Sequence, residues 1–269
     1  MKVFIATPMY GGNAKSGYVI SMQNLIVKLA SAGHQVETSV IGNESLITRA
    51  RNSLAHRFMS SDADVLLFID SDHSFDADDV VKMVESDKEL VGAIYPMKGV
   101  NWDAARLAAQ LGKQDLSSYS GFFAVNLLEE SIDLEVEEPI KVAEIGTGLM
   151  AIKREVFEKI APLCETYISD TISVANGDQG EEVVEFFKTS IDPSTRRLLS
   201  EDYNFCHMWR KLGNEVWAAP WVKIAHLGDY VFSGNFGAAL ELAQIRQELL
   251  KKSEEAASSE QKEEKEESK

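Results

Sequence analysis

Val65-Leu66-Leu67-Phe68-Ile69-Asp70-Ser71-Asp72-His73 is the stretch whose reading decides the fold. Five apolar residues in unbroken succession leave no face for water, so Val65 to Ile69 reads as a strand buried on both sides. Two carboxylates follow where the strand ends. In open α/β sheets, ligands bind beyond the carboxyl ends of the strands. Alternation along a strand would put Asp70 and Asp72 on one side, where both reach a hard cation or its waters. A divalent ion held there would neutralise a diphosphate and ease departure of a phosphate leaving group. A solvated strand end with chance acids is the competing reading, and the strand context is what lifts the pair above it.

Outward from that strand, the chain alternates. Val3 to Ala6 is a buried-strand run, and Tyr10 to Gly17 a loop. Val19 to Ala32 has helical periodicity and ends at Gly33. Gln35 to Ile41 reads as a strand, Glu44 to Met59 as a helix, Asp76 to Ser86 as a helix and Leu90 to Tyr95 as a strand. Val142 to Ile152 reads as a strand containing Gly146-Thr147-Gly148, followed by the helix Arg154 to Ile160. Glu201 to Leu212 is a helix closed by Gly213, and Glu215 to Ala218 a last strand. The expected fold class is α/β, Rossmann-like, with a mostly parallel central sheet and helices on both faces. Residues 98–139 show no steady period, and residues 170–200 are polar and loop-rich.

Composition bounds the function. The 269 residues are 45% hydrophobic, enough for one sizeable core, and the formal net charge is -16. From Gly237 onward nine acids face six bases, so the body carries most of the acidity. Such a surface repels phosphate backbones, and general nucleic-acid binding is not expected. Cys164 and Cys206 have no metal-type spacing, so the expected setting is reducing and cytoplasmic. No stretch is long enough for a signal peptide or membrane span. The chain divides into a catalytic domain over 1–236, an amphipathic helix over 237–252 and a charged tail over 253–269 expected to be disordered. The apolar stripe of Leu240 to Leu250 needs a cover, and self-association is one way to supply it.

Two further constellations carry chemistry. On the helix Glu44 to Met59, Ser45, Arg49, Asn52 and His56 fall on one stripe, opposite Leu46, Ile47, Ala50, Leu54 and Phe58. The polar stripe is either plain solvent exposure or a hold on a nucleotide's base, ribose or phosphate. Ser200-Glu201-Asp202-Tyr203-Asn204-Phe205 opens a helix. Its acids are either caps and dipole partners or a general base for a hydroxyl. His226-Leu227-Gly228 follows the last strand, and the histidine gains meaning if it folds back toward Asp72. Gly12 and Gly17 have P-loop spacing, but Tyr18-Val19 replaces the required Lys and Ser/Thr. Gly146-Thr147-Gly148 lacks the third glycine of a dinucleotide fingerprint.

In order along the chain, Ala6-Thr7-Pro8-Met9-Tyr10, Ser45-Leu46-Ile47-Thr48-Arg49-Ala50-Arg51-Asn52, Leu67-Phe68-Ile69-Asp70-Ser71-Asp72, Gly146-Thr147-Gly148-Leu149-Met150, Ser200 to Cys206 and His226-Leu227-Gly228 resemble the GT-A glycosyltransferases. The likeness is to the family-2-like enzymes of bacteria, phages and large viruses, and covers roughly residues 2–232. It implies a nucleotide-sugar donor, UDP- or GDP-linked, with Mn²⁺ or Mg²⁺ and a glycan or other hydroxyl acceptor. Thr7, Pro8 and Tyr10 would line the base pocket, and Arg49 and Asn52 would contact the nucleoside or its phosphates. Asp70, Ser71 and Asp72 would form the Asp-x-Asp site, with Asp70, Asp72 and His226 on the metal. Gly146, Thr147 and Gly148 would border the sugar or acceptor pocket, and Lys98 would reach the donor. Asp202 would be the catalytic base, with Glu201 in reserve, and inversion of the anomeric centre is favoured.

Two rivals stay open on the sequence. A sugar-1-phosphate nucleotidyltransferase would carry an Arg/Lys-bearing glycine loop after the first strand, where this chain has only Lys15. A non-catalytic nucleotide- or carbohydrate-binding domain would not need Asp70, Asp72, Glu201, Asp202 and His226 together.

Overall fold

The computed structural model describes residues 1–128, 136–169 and 180–267, with side chains to residue 255. Its central sheet holds β1 (Lys2–Met9), β2 (Gln35–Gly42), β3 (Val65–Ile69), β4 (Leu90–Ala93), β5 (Val125–Leu127), β6 (Ile140–Ile145), β7 (Leu149–Lys153) and β8 (Val216–Ala219). They lie in the order β2-β1-β3-β7-β4-β8-β6-β5. Six strands run one way, and only β6 and β7 oppose them. The sheet is thus mostly parallel in strand direction, with the reversed β7 inserted between β3 and β4.

The helices are α1 (Ser16–Ser31), α2 (Ile47–Met59), α3 (Ala77–Val84), α4 (Trp102–Gln110), α5 (Leu116–Tyr119), α6 (Arg154–Ile160), α7 (Glu201–Lys211) and α8 (Phe236–Glu267). Period-two alternation splits the core into two layers. Val3 and Ile5 pack with Leu25 and Leu29 of α1 and Val80 and Met83 of α3. Phe4 and Ala6 face the other way, onto Leu54 and Phe58 of α2, Phe157 of α6 and Trp209 of α7. α3 begins at Asp76, whose carboxylate accepts from the Asp78 N–H at 2.9 Å.

Several boundaries differ from the sequence reading. The strand read over Val142 to Ile152 is two strands, β6 and β7, in different places in the sheet, because Gly146 to Gly148 turns the chain between them. α2 starts at Ile47, so Leu46 and Ile47 stay exposed instead of packing on the sheet. Residues 98–139 supply a short strand ending at Val100, α4, α5, the strand Gly121–Phe123 and β5. In the polar segment, residues 170–179 lie outside the described residues. The remainder forms the strand Glu181–Val184, paired with Thr166–Ser169, and a hairpin of Ser190–Ile191 with Leu198–Leu199.

The helix read over 240–250 is longer at both ends, since Ala, Glu, Gln and Lys all favour helix. Phe236 and Leu242 dock on the body, whereas Leu249 and Leu250 are exposed. Truncation after Ser253 should therefore leave the melting temperature and any enzymatic turnover unchanged. A large loss of either would show that the tail docks or mediates assembly.

Arg154 ties α6 to the end of α2. Its guanidinium donates to the carbonyls of Phe58 (3.0 Å), Met59 (3.2 Å), Ser61 (2.9 Å) and Ala63 (2.8 Å), at and just beyond the carbonyl end of the helix. Arg154→Met keeps the apolar stem but strands those acceptors, and should cost about 2–3 kcal/mol in urea unfolding. A loss below about 0.5 kcal/mol, the usual range for surface changes, would show that water replaces the guanidinium.

Candidate active site

The ends of β1 and β3 open onto a cleft of about 240 Å³ lined by Pro8, Tyr10, Glu44, Ser45, Ile47, Arg51, Asp70, Ser71 and Asp72. This is the carboxyl end of the sheet, where the fold leaves backbone and side chains free to meet a ligand. Of the residues expected in a donor pocket, Pro8, Tyr10, Asp70, Ser71 and Asp72 line it. Thr7 does not: it is buried, and its hydroxyl is 2.7 Å from that of Tyr18.

The helical stripe resolves differently from its expectation. Arg49 makes a two-pronged ion pair with Glu44, at 2.6 and 2.9 Å. Asn52 is buried, and its amide exchanges hydrogen bonds with the Phe187 backbone at 3.0 and 2.7 Å. His56 meets Glu181. Asn52 is therefore spent on holding the 181–187 segment over α2 and is not available to a nucleoside. Beside Ile47, the residue that reaches the cleft from this helix is Arg51, which the helical stripe does not include. It is 4% exposed, with Nη2 at 3.2 and 3.3 Å from the two Asp70 oxygens and Nε at 3.3 Å from Glu201. Burial works against its charge, but Asp70 and Glu201 outweigh it and its pKa is raised.

Asp70 and Asp72 separate instead of sharing a face. β3 ends at Ile69, and the Asp70 N–H bonds to the Gly148 carbonyl at 2.8 Å while His73 N–H turns back to the Asp70 carbonyl at 3.2 Å. Strand alternation no longer applies across that turn. Asp70 faces Arg51. Asp72 faces His226 Nε2 at 3.3 Å and Lys98 Nζ at 2.6 Å, so His226 does fold back toward Asp72, the condition under which it gains meaning. Partial burial raises the Asp72 pKa, yet the hydrogen bonds from His226 and Lys98 prevail and hold it well below the carboxylate range. Asp72, His73 and His226 bring one ligand atom each to within 4.8 Å of one another, a grouping able to hold a metal ion. Asp70 is outside it.

His73 is a second residue that the sequence reading did not single out. It opens the strand His73–Phe75, which pairs with Ile224–Leu227 so that His73 and His226 are direct cross-strand partners. Their rings stack at 4.5 Å, and Tyr95 meets His73 edge-on at 4.7 Å. Burial pushes the His73 pKa down to about 4. Both of its ring nitrogens, and Nη1 of Arg51, are buried without a hydrogen-bond partner.

Gly146, Thr147 and Gly148 are buried. A Cβ on Gly146 would lie 2.0 Å from the Tyr95 hydroxyl, and one on Gly148 2.6 Å from His73 Cε1. The space these glycines leave is taken by the rings of Tyr95 and His73. They position Tyr95 and His73 behind the acids.

Glu201 and Asp202 open α7 and diverge. Glu201 turns to Arg51, and its pKa is raised by burial and then by Asp202, with Arg51 opposing. Asp202 accepts from the Ser200 hydroxyl and, at 2.8 Å, from the Tyr203 N–H. Ser200 occupies the N-cap position without a side-chain cap bond, and the first-turn Tyr203 N–H is met by Asp202 instead. No helix among the described residues is long and apolar enough to cross a membrane.

No protein-family model and no curated protein matches the chain. Among solved structures, the A197 protein from STIV is 15% identical over 87% of this chain and 95% of that one, with a TM-score of 0.49. GalNAc-T7, crystallised with UDP, GalNAc and Mn²⁺, is 11% identical over 91% of this chain and 47% of its own, with a TM-score of 0.41. TarS of S. aureus is 13% identical over 81% of this chain and 35% of its own, with a TM-score of 0.36. The chain thus spans less than half the length of the latter two.

Proposed function

We propose that the chain is a metal-dependent glycosyltransferase, moving a sugar from a UDP- or GDP-linked donor to a hydroxyl acceptor, such as a glycan, with inversion. The observation that carries this reading is the meeting, beyond β1 and β3, of an open cleft with Asp72 and His226, residues 154 positions apart. The residues suit a divalent ion. His226 Nδ1 lies 3.1 Å from the Pro96 carbonyl, which orients the ring, and Nε2 faces the Asp72 carboxylate at 3.3 Å. A divalent ion would share that carboxylate with Lys98. When bound, Mn²⁺ or Mg²⁺ would neutralise the donor diphosphate and so stabilise the departing nucleotide.

The chain's own residues supply the remainder. Pro8 and Tyr10 form the wall on which a base can lie, and Arg51 and Lys98 supply fixed positive charge near the phosphates. Asp202 takes the proton of the acceptor hydroxyl as that oxygen bonds to the anomeric carbon and the bond to the nucleoside diphosphate breaks. A panel of UDP-, GDP- and dTDP-sugars with Mn²⁺ tests the reading. Release of nucleoside diphosphate is the expected result. Pyrophosphate chemistry, or binding without turnover, would overturn it.

A further inference from the structure

Beside Asp202, away from the donor cleft, two polar side chains have hydrogen-bonding capacity left over. Tyr203 is half-buried, and its hydroxyl has no hydrogen-bond partner among the described residues. Arg197 precedes Asp202 by five positions, is half exposed, and spends only Nη2, on Glu144 at 3.0 Å. We infer that Arg197 and Tyr203 form an acceptor subsite next to Asp202, and that it takes a neutral sugar through its hydroxyls in preference to a uronate. The inference deepens the glycosyltransferase reading and rests on it, with Asp202 as the base.

Three observations support it. The first is how Arg197 is held. Glu144 of β6 is 6% exposed and is met from the paired strand β5 by the Asn126 amide at 2.5 Å. A buried carboxylate requires a charged partner, and Arg197 supplies one. That contact fixes one nitrogen of a planar fork, and Nε and Nη1 remain as donors. The second is the hairpin that carries Arg197. Asp192 closes its turn by accepting from the Ser194 N–H at 2.9 Å and the Thr195 hydroxyl at 2.8 Å. The Ser190 hydroxyl donates to Asn204 of α7 at 2.6 Å, so Arg197 is registered against α7 as well as against β6. The third is the surroundings of the Tyr203 hydroxyl. Its pKa is raised to about 12, by burial first and then by Asp202 and Glu144, with Arg197 opposing. One hydroxyl thus senses all three side chains.

The charge balance there selects the ligand. Two carboxylates face one guanidinium, so a uronate would bring a third anion to a base that has to accept a proton. The hydroxyls of a neutral sugar can donate to Asp202 and Tyr203 Oη and accept from Arg197.

The test uses the donor selected by the nucleotide-sugar panel and, as acceptors, the methyl glycosides of glucose, galactose and mannose, each beside its uronate. The neutral glycosides should exceed their uronates at least about tenfold in kcat/KM. Arg197→Lys keeps a charge for Glu144 but gives up the fork, and should raise the acceptor KM about tenfold or more; Tyr203→Phe should raise it about 3–10-fold. In both, the ratio of transfer to donor hydrolysis should fall while nucleotide Kd stays within about twofold, the range of a change outside the donor site. A preference for uronates, no transfer to any neutral glycoside, or an acceptor KM unmoved in both variants overturns the inference. So does a loss of nucleotide affinity that matches the rise in acceptor KM, since the side chains would then act through the fold. Each of these leaves the glycosyltransferase reading standing as long as nucleoside diphosphate is released from the donor. The wild-type preference decides the matter even if Arg197→Lys does not fold. Failure of the wild type to release nucleoside diphosphate overturns both readings.

Discussion

Asp72→Ala is expected to lower sugar transfer by at least about two orders of magnitude, the loss of about 3 kcal/mol that follows removal of a well-placed electrostatic group. Its carboxylate is the point at which His226, Lys98 and the His73 strand converge. The effect should appear with the fold intact, because Asp72 is partly exposed and its partners Lys98 and His226 reach solvent. Asp70→Ala should behave differently. It leaves the buried Arg51 guanidinium with Glu201 alone, and breaking a buried ion pair typically destabilises by about 3–5 kcal/mol. Activity and melting temperature should therefore fall together for Asp70→Ala, and activity alone for Asp72→Ala. Full transfer in EDTA, or by the Asp72→Ala protein, would sink the metal-dependent reading.

Asp202→Asn carries the second large effect, a fall in transfer of about 10²–10⁴-fold with nucleotide affinity within a few fold of wild type. The structure sharpens this test. Asp202 accepts both the Ser200 hydroxyl and the first-turn Tyr203 N–H, and an asparagine Oδ1 can still accept from both, so the substitution keeps these contacts. Stability should hardly change, so a loss of transfer reports on chemistry. Glu201→Gln is the contrasting variant. Its carboxylate neutralises Arg51, and losing it should lower the melting temperature and weaken donor binding. Acceptor must be present in both assays, since hydrolysis of the donor by water can proceed without a placed base. Wild-type transfer by Asp202→Asn would move the base to Glu201, or indicate a retaining reaction.

Much of the frame was open to reading because it depends on local pattern. An uninterrupted apolar run can only be a doubly buried strand, glycines end α1 and α7 in the left-handed conformation at Gly33 and Gly213, and acids beyond a strand of an α/β sheet lie at its ligand-binding end. The phase of α2 was readable only in part. Ala50, Leu54 and Phe58 mark the face on the sheet, but burial of Asn52 depends on a cover from residues 181–187, more than a hundred positions away. A helical wheel assumes one buried face; α2 has two, and Arg51 lies between them.

By itself, the sequence determined the α/β class, the strand that ends before Asp70, the helix that Glu201 and Asp202 open, and the set of acids and histidines from which a site could be built. Those follow from hydrophobic period, turn residues and chain direction, all short-range properties. Only the tertiary structure decided the pairings. It gave Asp70 to Arg51 and Asp72 to His226 because the chain turns directly after Ile69. It set His73 opposite His226 through strand register, and it filled the hollow of Gly146 and Gly148 with Tyr95 and His73. A side chain's partner is fixed by long-range packing and register, and a one-residue shift in either would send these same residues to other neighbours.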